Sequence, residues 1–167
     1  MSKKKTVFMG TTKIEVSKTI GEIQAYLTDI GVASLQIEND PKTKIPKALS
    51  FSIEVQDQRL FFQLPVRIEP VYCYFNRKRA ENRQYSYKEA CEVPTDKLND
   101  FYHGSDLAQA RKTAWRQILR WVEAQFALID TGMVKPEEIF LPFLVSGNGE
   151  TLFEAVERTK FKGLLTD

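Results

Sequence analysis

The residues best suited to chemistry lie between Arg67 and Lys88, in the run RIEPVYCYFNRKRAENRQYSYK. Six cations (Arg67, Arg77, Lys78, Arg79, Arg83 and Lys88) stand against Glu69 and Glu81, and Tyr72, Tyr74, Phe75, Tyr85 and Tyr87 are interleaved with them. Guanidinium groups pair with phosphate oxygens through a two-pronged donor set. Aromatic faces stack on bases, worth ~1–3 kcal/mol per base in single-stranded complexes. The pattern therefore points to a phosphate-bearing nucleotide ligand held by Arg67, Tyr72, Tyr74, Arg77, Lys78, Arg79, Arg83, Tyr85 and Tyr87. A plainer reading competes with it, in which Val71, Tyr72 and Tyr74 continue a sheet and residues 76–84 form a solvated basic loop.

A second row of cations, Lys112, Arg116 and Arg120, is spaced by four and so lies on one stripe of a helix, with Arg111 beside it. It is a candidate secondary anion surface, or else the wet side of an amphipathic helix. Trp115 and Trp121 on the same segment fit a core better than a stacking platform. Catalytic groupings are sparse. His103 is the one histidine, no Gly-rich loop ends in Lys-Ser or Lys-Thr before a helix, and the adjacent Glu137 and Glu138 suit a helix start. Cys73 and Cys91 have no histidine neighbours that would suggest zinc. These features lead us to expect a non-enzymatic protein without metal or cofactor.

The elements that must position these residues fall into two halves. Residues 11–75 read as strand-rich. Thr11–Val16 alternates like a short strand, Thr19-x-x-Glu22 has the form of a capping box, and Ile20, Ile23, Leu27 and Ile30 follow at helical spacing before Gly31. Ala33–Glu38 alternates again. Leu49, Phe51, Ile53 and Val55, then Leu60, Phe62, Leu64 and Val66, predict a hairpin across the gap Gln56-Asp57-Gln58. Residues 105–160 read as helical. Ser105 and Asp106 are N-cap candidates for a helix to about Asp130, whose apolar face carries Trp115, Leu119, Val122, Phe126 and Ile129. A short helix from Pro136, limited by Pro142, and a last helix over 151–160 follow.

These readings predict an α+β fold in β-α-β-β-β order: an antiparallel curved sheet with the C-terminal helices packed on one face. It resembles in plan the TATA-binding-protein-like and other helix-over-sheet folds. The opposite face would show Lys13, Glu15, Gln36, Glu38, Ser50, Ser52, Arg59, Phe61 and Gln63 to solvent or to a partner. A single domain over 1–167 is expected, with residues 1–10 a flexible basic N-terminus.

The formal charge of +2, from 24 basic and 22 acidic residues, argues against a general polyanion coat and for a local anion site. Apolar residues at 43% and charged residues at 28% are globular values, and no run approaches a membrane span. A reduced cytoplasmic setting is expected.

Three segments, TTKIEVSKTIGEIQAYLTDIGV (11–32), ALSFSIEVQDQRLFFQLPV (48–66) and ARKTAWRQILRWVEAQFALIDTGMVKPEEIFLPFLV (110–145), together with Lys160-Phe161-Lys162-Gly163, resemble a family of small proteins encoded in phage and prophage genomes. The resemblance implies action inside a bacterial host cell and carries no residue roles. Expected partners are thus a nucleotide, including a cyclic-nucleotide antiviral signal that the protein would sequester, or single-stranded nucleic acid in replication or recombination. A protein–protein inhibitor of a host defence or transcription enzyme is the alternative from another class, and a homo-oligomer fits either.

Overall fold

The computed structural model describes residues 7–83 and 104–162; within it, residues 76–83 and 104–106 are described by their helical backbone. The elements run α1 (Val16–Asp29), β1 (Ser34–Asn39), β2 (Pro46–Val55), β3 (Gln58–Pro65), α2 (Ile68–Arg83), α3 (Gly104–Asp130), α4 (Pro136–Phe140), a 3-10 turn (Leu141–Phe143) and α5 (Leu152–Arg158). The fold is α+β. Its sheet is antiparallel with strand order β1-β2-β3.

The hairpin forms because β2 and β3 alternate about a two-residue turn. Gln56 and Asp57 both adopt left-handed backbone, φ 49° and 61°, between the paired Val55 and Gln58. That is the turn geometry whose twist matches paired strands. Register then places Leu49 opposite Leu64 and Phe51 opposite Phe62, so the same face of both strands is buried. Ile23 and Leu27 of α1 and Trp115, Leu119, Val122 and Phe126 of α3 cover that face. Phe140 closes it, with ring centroids 5.2 Å from Phe51, 5.5 Å from Phe62, 5.4 Å from Phe126 and 5.9 Å from Trp121. Residues from both halves of the chain thus share one buried cluster, and such edge-on and tilted aromatic contacts add to area burial.

Several expectations are corrected. Residues 11–15 are not a strand, so the order begins α-β-β-β rather than β-α-β-β-β. The start of this segment and the residues before it are instead held by α3: Gln109 Nε2 donates to the carbonyls of Gly10 at 3.1 Å and Thr12 at 2.8 Å. Thr113 Oγ1 and Gln117 Nε2 donate to those of Met9 and Phe8, at 3.4 Å and 2.7 Å. A stripe of three polar residues spaced by four therefore holds residues 8–12 where a neighbouring strand was expected. The Thr19–Glu22 capping box does not form, since α1 has already begun at Val16 and Thr19 is buried inside it. Ser105 and Asp106 are within α3 rather than capping it.

The largest correction is α2. Residues 68–83 are helical, so Val71, Tyr72 and Tyr74 do not continue the sheet and residues 76–83 are not a loop. Ile68, Val71, Tyr72 and Phe75 recur at helical spacing and pack on the core. Pro70 is tolerated in the first turn, where its missing N–H has no intrahelical acceptor. At the other end, α5 is closed by a capping box, with Thr151 Oγ1 accepting from the Glu154 N–H and Glu154 reaching back to the Thr151 N–H. No helix among the described residues is long and apolar enough to cross a membrane.

Candidate functional site

The loop between β1 and β2 is tied into a fixed shape before any ligand is considered. Asp40 Oδ1 accepts from the backbone N–H of Thr43 at 2.7 Å and of Lys42 at 3.0 Å, and from Thr43 Oγ1 at 3.0 Å. Those bonds, the Thr43 N–H first, hold the exposed Asp40 carboxyl below its ordinary range. The Asp40 N–H donates to the Ile45 carbonyl, and the Lys44 N–H to the Asp40 carbonyl, both at 2.8 Å. Lys44 itself sits at φ 58°. This clip presents Lys44, Ile45 and Pro46 to the N-terminal part of α3.

Between them lies a cleft of about 280 Å³ lined by Glu15, Val16, Lys44, Ile45, Pro46, Ala108, Arg111, Lys112 and Trp115. Its wall is mostly apolar, with three cations and one carboxylate at the polar positions. Lys112 Nζ pairs with Glu15 Oε1. Arg111 is different. It is half-buried, and no carboxylate pairs with it among the described residues. Burial lowers its pKa, and among the described residues no paired carboxylate offsets that penalty. Its Nε and the Nε1 of the fully buried Trp115 are both buried, and neither has a hydrogen-bond partner among the described residues. Buried donors left without partners are costly, and in native proteins they call for an explanation. The cleft can therefore accept an anion with a flat or apolar body.

The residues singled out from sequence are distributed differently. Arg67 is exposed in the link before α2 and close enough to Glu154 to lower its pKa. Tyr72 is fully buried in the core, so it packs instead of offering a face to a ligand. Tyr74 is half-buried, its ring 6.2 Å from that of Phe75 at 71°. Arg77, Lys78, Arg79 and Arg83 lie on the backbone of α2, while Tyr85 and Tyr87 lie outside the described residues, as does His103.

The stripe on α3 is not an open anion surface. Arg116 is buried and pairs with Glu22 of α1, Lys112 pairs with Glu15, and Arg120 pairs with Glu123 at 2.7 Å. Its first two members fasten α1 to α3. Glu15 likewise faces α3, not the wet face of the sheet where alternation placed it.

The cleft residues missed from sequence are Lys44, Ile45 and Pro46, while Trp115 is core, as its pattern predicts. One signal for Arg111 was present. Its helical neighbours at three and four positions, Leu107, Ala108, Ala114 and Trp115, carry no acid, so no local ion pair could hold it. Among the described residues no group of three or more His, Cys, Asp or Glu side chains could hold a metal ion. No family model, curated protein or solved structure matches the chain.

Proposed function

We propose that this chain is a binding protein for a small phosphate-bearing ligand of the nucleotide class, held in the cleft between α3 and the 40–46 loop. The observation that carries this reading is the half-buried Arg111 guanidinium without a carboxylate partner among the described residues. A phosphate is the group its fork of donors matches best, and Lys44 on the facing loop lines the same cleft. Val16, Ile45 and Pro46, each half-buried, supply the apolar wall for a base or sugar. At about 280 Å³ the cleft lies at the small end of ligand sites, which favours a mononucleotide or cyclic mononucleotide over a cyclic dinucleotide or a long strand. Holding a host-made signalling nucleotide there would withhold it from its receptor, which is the sequestration role.

The test uses the intrinsic fluorescence of the full chain, to which Trp115 under the cleft and Trp121 both contribute. AMP, cyclic AMP, a cyclic dinucleotide and a single-stranded oligonucleotide are titrated at two salt concentrations. The expected result is saturable binding of a mononucleotide, weakened about 10- to 100-fold in Arg111→Ala, the range for losing a charge-assisted hydrogen bond. Equal affinity in Arg111→Ala would overturn the reading. So would binding confined to the oligonucleotide with a steep salt dependence, or no binding to any probe.

A further inference from the structure

The outward face of the sheet has its own chemistry, of opposite sign to the Arg111 cleft. Pairing sets its side chains in rows across the strands: Ser34, Ser52 and Phe61 form one row, and Gln36, Ser50 and Gln63 the next. Same-face rows on a pleated sheet are about 7 Å apart. A second cleft, of about 380 Å³, opens over these rows with Val145 and Gly149 on its rim.

Glu38 is the one ionisable residue among those lining it. Its Oε1 accepts from Ser50 Oγ at 2.7 Å and from Gln63 Nε2 at 2.5 Å, which draws the carboxylate over the row of Gln36, Ser50 and Gln63, next to the row that carries Phe61. The carboxylate is half-buried, and no lysine or arginine pairs with it among the described residues. Phe61 is 53% exposed, while its neighbours on the other face of the strand are core. The negative charge is thus fixed in place by two neutral donors, beside an aromatic face that is open to solvent.

Both features attract positive charge. The π face of an aromatic ring draws cations, and a carboxylate forms its strongest hydrogen bonds with charged donors. A phosphate would be repelled by Glu38. A neutral sugar could hydrogen-bond there but would leave the charge unbalanced. We propose that this cleft is a site for a small organic cation, an ammonium or guanidinium group seated over Phe61 and hydrogen-bonded to Glu38. The Gln36 side chain, in the same row as Ser50 and Gln63, supplies a further acceptor. The cleft is far larger than one cationic head group, so the ligand carries an alkyl chain, as a polyamine or an arginine-like amine does.

The experiment titrates isotopically labelled full-length protein with agmatine at constant ionic strength and follows the Phe61 ring and the Gln36 and Gln63 side-chain amides by NMR. Saturable shifts confined to the cleft are expected. Glu38→Gln keeps an acceptor for Ser50 but removes the charge, and should weaken binding about tenfold or more. Phe61→Leu changes an exposed position, leaves the fold intact, and should weaken binding about two- to fivefold. Shifts that do not saturate and spread over other surface carboxylates, or an unchanged affinity in both variants, would overturn the proposal. Its outcome is independent of the nucleotide titration, because neither variant touches the Arg111 cleft.

Discussion

Replacing Glu22 with Gln should destabilise the protein more than replacing Arg116 with Met, although the two residues form one ion pair. The asymmetry comes from burial. The Arg116 side chain retains 8% exposure and that of Glu22 retains 36%. In Glu22→Gln the guanidinium stays inside with a neutral partner, whereas in Arg116→Met the remaining carboxylate can be solvated. Removing one partner of a buried pair costs about 3–5 kcal/mol. Gln still offers an acceptor and Glu22 is partly wet, so about 2–3 kcal/mol is expected for Glu22→Gln. For Arg116→Met the expectation is about 0–1.5 kcal/mol, because a buried charge is traded for apolar packing. At about 2–4 °C per kcal/mol for a chain of this size, Glu22→Gln lowers Tm by about 4–12 °C. Trp115 and Trp121 flank Arg116 on α3, so their fluorescence during urea unfolding reports the loss directly. The double variant completes a cycle with an expected coupling of about 1–2 kcal/mol. Glu22→Gln proving no worse than Arg116→Met, or a coupling near zero, would refute this account of how α1 is fastened to α3.

Three further outcomes follow from backbone and capping geometry. Replacing Gln56-Asp57 by Asn-Gly relieves two non-glycine residues at positive φ and should raise stability by about 0.5–1 kcal/mol, read as a higher urea midpoint with unchanged slope. At the C-terminal end, the Thr151 N–H and hydroxyl hold the Glu154 carboxyl below its ordinary value, and the Arg158 and Asn148 side chains do the same for Glu150. A carboxyl whose folded-state pKa is depressed stabilises fully above its unfolded value and loses that contribution as pH falls through the folded one. The α5 amides should therefore lose hydrogen-exchange protection below about pH 4, while those of β2 and α3 keep theirs. Thr151→Ala should loosen the same helix at neutral pH, by about 1 kcal/mol.

What could be read from sequence was set by local pattern. The β2–β3 hairpin, the long α3 and the last helix each rest on spacing within one segment, and each is present. The helix α2 was hidden because Val71, Tyr72 and Tyr74 are strand-forming types. Tyr72 and Tyr74 also alternate, and that competed with the helical spacing of Ile68, Val71, Tyr72 and Phe75. Thr11–Val16 alternates as a strand should but has no strand to pair with, and pairing, unlike alternation, is non-local. Charge misled for the same reason. Lys112, Arg116 and Arg120 share a stripe, yet their partners Glu15, Glu22 and Glu123 come from two different helical elements and the N-cap of one of them. Only the packing of α1 on α3 reveals which cation is left over. That cation is Arg111, the one the stripe did not include.

The hold of α3 on residues 8–12 has a consequence for how this chain can drift. Gln109, Thr113 and Gln117 bond to main-chain oxygens alone, and every amino acid carries one. The helix therefore recognises the path of the segment and is blind to most of its spelling. Phe8, whose side chain is 62% exposed, can change freely. The exceptions are Met9, whose φ of 60° disfavours β-branched residues and proline, and Gly10, where a Cβ would come within 2.6 Å of Val7 Cγ1 and 2.9 Å of the Val7 carbonyl oxygen. Mutational tolerance across this contact should be lopsided: loose along the N-terminal segment except at those two positions, and strict at three polar positions about a hundred residues away.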